Sequence, residues 1–372
     1  MSATWIDGTE ALDAWLGTIE AGPVAVDTEA DSFHHYREKV CLIQLSAGSR
    51  HALVDPLASI DLAALRPVLA DPSVEKLLHG ADYDVRLLHR DLGFEVRGLF
   101  DTMIAARLAG EPAFGLAALL EKHLRVTLDK AHQRADWSKR PLTAALRDYA
   151  VADTRFLAPL AEILRERLAH LGRTEWAREE CERIESVRWR ERRDDDPEPF
   201  RKTKGSRVLD RAGLAVLREI WGWRDAAARG RDKPPFRILR DEVLVALAKS
   251  PAAAIGDLAQ VAGFPEFLLR SPAAHDLVAA AQRGAAAPQE SLPEILPSVR
   301  PKLDPQVASR VERCKAVRDV LARDLELEPS ILASRGVLEE MARREVGGGD
   351  PWTVPELRTW QMALLRPRWP QP

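Results

Sequence analysis

Pro23-Val24-Ala25-Val26-Asp27-Thr28-Glu29 is an apolar, β-prone run that ends abruptly in two carboxylates. Two runs of the same character follow, Val40-Cys41-Leu42-Ile43-Gln44-Leu45 and His51-Ala52-Leu53-Val54, and all three read as strands. Between the last two lies Ser46-Ala47-Gly48-Ser49-Arg50, a polar link with a glycine that suits a hairpin. From Asp61 the apolar spacing turns helical, interrupted by a strand-like Lys76-Leu77-Leu78-His79. Helical patterns continue over Asp101–Leu108, Gly115–Leu124 and Leu142–Leu171, with Pro141 placed to open the last. Such alternation predicts a mixed sheet with flanking helices.

Outward from this region, 372 residues exceed what one core usually organises, so two or three domains are expected. The α/β domain is expected to span 1–180. A charged, proline-containing connector follows over 181–206, with Arg192-Arg193-Asp194-Asp195-Asp196-Pro197 at its centre. Beyond it the pattern is all-helical: one module over 207–285, a linker over 286–302, and a second helical module over 303–372.

Hydrophobic residues make up 46% and charged ones 30%, and no apolar run approaches the roughly 20 residues of a membrane span. The start, Met1 to Leu16, lacks the basic and apolar pattern of a secretory signal, so a cytoplasmic location is expected. Cys41, Cys181 and Cys314 are too scattered to suggest a disulfide framework or a thiolate metal centre. The net charge of −3 hides an uneven spread: Arg201 to Arg240 holds 12 Lys/Arg against 4 Asp/Glu, a balance of +8, which leaves −11 elsewhere. An acidic N-terminal part suits carboxylates gathered round cations, and a basic segment suits phosphate. A solvated face of charged helices would carry the same charges.

Alternation puts Asp27 and Glu29 on one side of the first strand, where one cation can touch both. Taken alone the pair is no more than a turn signal with a surface charge. Asp84 falls near the start of a helix, where the helix dipole favours a carboxylate in any case. Tyr149 and Asp153, four positions apart in a helical pattern, share a helix face.

In this order the segments resemble the DEDD exonuclease superfamily: Val26-Asp27-Thr28-Glu29-Ala30-Asp31 looks like its first motif, His79–Leu88 its second, and Tyr149-Ala150-Val151-Ala152-Asp153 its third. A His five positions before the last Asp would mark the histidine subgroup. That position is Asp148, and Tyr149 fits the tyrosine subgroup. The wording of His79-Gly80-Ala81-Asp82-Tyr83-Asp84, Leu99-Phe100-Asp101-Thr102 and Asp136-Trp137-Ser138-Lys139-Arg140-Pro141-Leu142 is similar to ribonuclease D and its eukaryotic exosome relatives. Ile238-Leu239-Arg240-Asp241-Glu242-Val243-Leu244, after Trp223-Arg224 and Lys233-Pro234-Pro235, looks like the helicase-and-RNase-D C-terminal (HRDC) domain, with 303–372 as a weaker second copy.

The resemblance implies a ribonuclease H-like fold and a 3′→5′ exoribonuclease that trims transfer-RNA precursors and other small structured RNAs to release nucleoside 5′-monophosphates. Phosphodiester hydrolysis needs charge neutralised on the attacking and the departing oxygen, and two Mg²⁺ or Mn²⁺ ions about 4 Å apart supply that. Asp27 is expected to bridge them. By resemblance, Glu29 and Asp153 complete one ion, Asp84 supports the other, and Tyr149 orients the attacking water. Gln44 and Trp137 are candidates to meet the terminal nucleotides, and Arg140 and His79 to face the substrate. Lys233, Arg237 and Arg240 are candidate phosphate partners in the helical half. Trp221 and Trp223 could stack on bases, although two tryptophans on an amphipathic helix more often serve a core. The same carboxylates would serve a DNA exonuclease, and an inactive RNA-binding protein could keep the fold, although all five motif positions are intact.

Overall fold

The computed structural model describes residues 3–19, 22–129, 131–189, 197–295 and 303–371. It forms two compact units: Met1–Ala30, Lys39–Trp189 and Lys302–Pro372 make one, Asp31–Glu38 and Arg190–Pro301 the other. The first begins with β1 (Thr4–Ile6), α1 (Thr9–Leu16), β2 (Val24–Ala30), β3 (Val40–Ala47), β4 (Arg50–Val54), α2 (Leu65–Ala70) and β5 (Lys76–Leu78). It continues through α3 (Asp82–Leu92), β6 (Leu99–Asp101), α4 (Thr102–Leu108), α5 (Leu116–Leu124), α6 (Ala144–Arg155), α7 (Leu157–His170) and α8 (Thr174–Glu185).

The six strands form one mixed sheet in the order β1-β4-β3-β2-β5-β6. The β3/β4 hairpin and the β2/β3 pair are antiparallel, while β1, β5 and β6 join their neighbours in parallel. β1 and β6 are three residues each, too short for a period of two to register, and their pairing partners define them. One face of the sheet carries Val24, Val26, Ile43 and Leu45 against α1, α2 and α3. The other carries Cys41, Leu42 and Leu53 under α6, and Ala25 and Leu77 under α7. The helical pattern expected as one run from Leu142 is two helices, because Phe156 leaves helical dihedral angles at φ −103° and ψ 3°. The first starts at Ala144, where the Thr143 hydroxyl caps the Leu146 N–H at 3.3 Å.

The second unit contains α9 (Arg211–Gly230), α10 (Pro235–Ile238), α11 (Asp241–Lys249), α12 (Ile255–Leu258), α13 (Glu266–Leu269) and α14 (Ala273–Ala285). Leu217, Ile220, Leu244, Leu247 and Leu277 are at its centre, with Trp221 and Trp223 packed partly buried against that core. The central parts of both expected connectors, 190–196 and 296–302, lie outside the described residues.

The chain then returns to the first unit with α15 (Pro305–Asp324), α16 (Pro329–Leu332), α17 (Arg335–Val346) and α18 (Thr359–Leu365). Here the expectation of a separate second module needs correcting. Cys314, Leu321, Leu338 and Trp360 share one core with Ala105, Leu120, Leu160 and Leu164 of the α/β part. Trp360 stacks on Trp176 of α8 at 4.7 Å, and the Glu179 carboxylate accepts the Thr359 N–H at 2.6 Å. Periodicity shows that these helices have apolar faces. It does not say which partner those faces meet.

Candidate active site

Alternation along β2 decides where its end points. Val24 and Val26 pack with Val85 and Leu88 of α3, whereas Ala25 packs with Leu157 and Ala161 of α7. Asp27 and Glu29 therefore share the face of α6 and α7. There they meet Asp153 of α6, and a carboxylate oxygen from each of the three lies within 4.8 Å of the others. A buried polar network fixes α6 on the sheet: the Ser46 hydroxyl is 2.7 Å from the Thr154 hydroxyl and 2.8 Å from His51 Nδ1.

Asp84 arrives from the opposite face, in the first turn of α3. The turn before that helix is held by the buried Asp101 carboxylate, which accepts the N–H groups of Gly80 at 3.0 Å and Ala81 at 2.8 Å. The same carboxylate caps α4 through Met103 and Ile104. Gly80 sits at φ 77°, and a Cβ there would come within 2.9 Å of Met103. Asp84 accepts the Thr28 hydroxyl at 2.5 Å. Sequence reasoning assigned no role to Asp101, Ser46, Thr154 or Thr28. An Asp just before a helical pattern is a cap signal that could have found the first; nothing local marks the others.

Burial and crowding of like charges dominate the electrostatics. Burial first, then the charges of Asp84, Asp153 and Glu29, hold the Asp27 carboxyl well above the usual carboxylate range. Burial, followed by Asp153 and Asp84, pushes Glu29 to about 9. Burial raises Asp153 to about 7 and Asp84 to about 6, each opposed by a hydrogen bond, from Tyr149 and from Thr28 respectively. An all-oxygen donor set that repels itself this strongly fits a hard divalent cation.

A pH dependence follows. These folded-state carboxyls bind protons that the unfolded chain releases near pH 4, so in cation-free protein they cost stability as pH rises through about 6, 7 and 9. The melting temperature in EDTA should fall between pH 5.5 and 8.5. Mg²⁺ should restore it by an increment of several degrees that is larger at the higher pH. A cation effect independent of pH in thermal melts would contradict this charge assignment.

Tyr149 donates to Asp153, and its hydroxyl is pushed above the ordinary tyrosine value by burial and by the charges of Asp153, Glu29 and Asp27. Its ring lies between His132 and Trp137, both centroids 5.9 Å away. Trp137 itself is 1% exposed, so it supports Tyr149 from within the core and presents no face to a base.

Gln44, fully buried opposite Asp27 in the β2/β3 register, donates to Asp27 Oδ2 at 3.2 Å and leaves its own Oε1 without a partner. His79 Nδ1 meets the Thr102 hydroxyl at 2.9 Å, and its buried Nε2 has no partner. In the second unit the Lys233 ammonium meets the His34 carbonyl at 3.4 Å, and Arg237 donates to the Phe33 carbonyl at 2.6 Å. Arg240 is exposed, with Glu242 4.0 Å away.

The expected substrate role of Arg140 needs correcting. Its Nε and Nη2 each donate to Asp55 at 2.6 Å, and its remaining N–H groups go to the carbonyls of Cys41, Trp137 and Lys139. All five donors of the guanidinium are thus engaged. Arg140→Ala should cost about 2–4 kcal/mol by stranding the buried Asp55 carboxylate, read by urea unfolding. KM for RNA should be unchanged, since no donor is left for a phosphate.

Carboxylates converging from β2 and two helices, on a mixed sheet with a tyrosine bonded to the last of them, have the chemistry of a nuclease site that would hold divalent cations against a phosphodiester. The chain matches the 3′-5′ exonuclease family over residues 3–169 and the HRDC domain family over 213–272. It is 31% identical to ribonuclease D of Granulibacter bethesdensis over 364 residues, 97% of this chain and 90% of that one. Among solved structures, Escherichia coli RNase D, described as an exoribonuclease involved in structured RNA processing, aligns over 100% of both chains at 28% identity and a TM-score of 0.69. The catalytic core of RRP6 from Trypanosoma brucei aligns over 76% of this chain and 79% of that one at 27% identity and a TM-score of 0.66. The chain belongs to the ribonuclease D family of 3′→5′ exoribonucleases. Among its described residues, no helix is long and apolar enough to cross a membrane.

Proposed function

We propose that this chain trims the 3′ ends of transfer-RNA precursors and other small structured RNAs in the cytoplasm, releasing nucleoside 5′-monophosphates. Asp27, Glu29, Asp84 and Asp153 hold two Mg²⁺ or Mn²⁺ ions, and Tyr149 orients the attacking water. The observation that carries this reading is the meeting of Asp27, Glu29 and Asp153 oxygens within 4.8 Å at the end of β2.

When bound, the ions neutralise charge on the phosphate and lower the pKa of water. The chain's own groups do the rest. The water oxygen attacks phosphorus as the water gives up one proton to solvent, the bond from phosphorus to the 3′ oxygen of the shortened strand breaks, and that oxygen takes up a proton in turn. The Tyr149 hydroxyl, held to Asp153, is suited to fix the direction of attack, and removing the proton would require bound cations to lower a hydroxyl that burial and the neighbouring carboxylates raise. Gln44 holds Asp27 from the neighbouring strand. The bare, buried acceptors Gln44 Oε1 and His79 Nε2 are groups that a terminal ribose hydroxyl would satisfy. Lys233, Arg237 and Arg240 lie in the unit that matches the HRDC family, where their charge suits phosphate.

Product analysis on a 5′-labelled single-stranded RNA and its DNA counterpart, with Mg²⁺ or Mn²⁺, tests the reading beside Asp27→Ala. A cation-dependent ladder shortening from the 3′ end of RNA, absent in the variant, is expected, with transfer-RNA precursors trimmed to discrete ends. Equal or better cutting of DNA would reassign the substrate, and no cutting with any cation would leave a binding protein.

A further inference from the structure

Asp84 reaches the site by a different route from its partners. It stands outside the close group of Asp27, Glu29 and Asp153, and it comes from α3, on the face opposite α6. β5 pairs with β2 at Val24 and Ala25, so the edge of β2 toward β5 is free of that strand from Asp27 onward. α3 begins four residues after β5 ends, and Asp84 occupies this edge: its carboxylate accepts the Thr28 hydroxyl at 2.5 Å. Alternation turns Thr28 toward α3 while Asp27 and Glu29 turn toward α6. Within Asp27-Thr28-Glu29 it is therefore the side chain suited to hold a carboxylate from that side.

We propose that Thr28 is a positioning residue that sets Asp84 for the second divalent cation, its hydroxyl occupying one carboxylate oxygen and leaving the other to the ion. The inference rests on the two-cation reading above. A hydroxyl-to-carboxylate bond of this length is charge-assisted and directional, so it fixes the carboxylate as well as binding it. Holding Asp84 before the cation arrives spares the ion the task of ordering it. A serine hydroxyl at position 28 can make the same bond; alanine and valine cannot.

The test is Mn²⁺ binding to the full-length, EDTA-treated protein, followed by the electron paramagnetic resonance of free Mn²⁺, for wild type, Thr28→Ser, Thr28→Ala and Thr28→Val. Wild type and Thr28→Ser should bind two ions alike. Thr28→Ala and Thr28→Val should bind one as wild type does and the other about tenfold more weakly, as loss of a hydrogen bond to a charged group predicts. They should also need about tenfold more Mg²⁺ for half-maximal hydrolysis. Serine and alanine both lack the threonine methyl, so the difference between them isolates the hydroxyl even if valine packs badly. Wild type binding two ions, with Ser and Ala indistinguishable, would sink this inference and leave the two-cation reading standing. Wild type binding a single ion would remove both.

Discussion

Asp27→Asn should leave a folded protein that binds RNA and does not cut it, with kcat down by about four orders of magnitude or more. The amide keeps the shape of the carboxylate and can still meet Gln44, so the strand end and its packing survive. It cannot supply the anionic oxygen on which the Asp27, Glu29 and Asp153 group depends. The Asp27 carboxyl is held well above its ordinary value by burial and by the charges of Asp84, Asp153 and Glu29, so an uncharged amide in its place removes a group that is costly to ionise there. Without cations the variant should therefore melt no lower than wild type at pH 8, and the stabilisation by Mg²⁺ should largely disappear. Single-turnover hydrolysis, RNA binding and melts with and without Mg²⁺ check the three parts. Residual turnover within tenfold of wild type would show that the carboxylate is not central.

Tyr149→Phe should lower kcat by about 10- to 100-fold and leave cation affinity as it was. The ring keeps its place between His132 and Trp137, so only the hydroxyl and its bond to Asp153 are lost. Burial and three neighbouring carboxylates raise that hydroxyl in the cation-free chain, so proton removal would need the cations to lower it strongly, whereas orientation of water needs no such shift. The pH–rate profile of the variant should accordingly keep the shape of wild type at a lower level. Loss of an alkaline or acidic limb on removing the hydroxyl would mean instead that Tyr149 titrates during turnover.

Much of the site was legible in the sequence because its signals are local. An apolar β run ending in Asp27-Thr28-Glu29, an acid at a helix start, and a Tyr four before an Asp on a helix each follow from periods of 2 and 3.6. Taken in order along the chain they resemble the DEDD exonuclease motifs, and that resemblance implies the chemistry. The three-residue strands β1 and β6 were not legible, because the pairing with β4 and β5 creates them. Nor was the fate of the groups expected to touch substrate. Trp137 and Arg140 look, as residue types, like a stacking platform and a phosphate clamp, and both are consumed inside the fold.

The sequence by itself determined the α/β pattern and the presence of apolar helices after it, which depend on spacing within short segments, and its resemblance to the DEDD exonuclease motifs marked the five residues expected to carry the chemistry. Only the tertiary structure decided what those segments meet. It placed Thr28 against Asp84, 56 positions away, Arg140 against Asp55, and the last helices on α4, α5, α7 and α8 in one shared core. Such partnerships are set when buried faces and unsatisfied polar groups find complements across the folded chain, and no local period records which complement that will be.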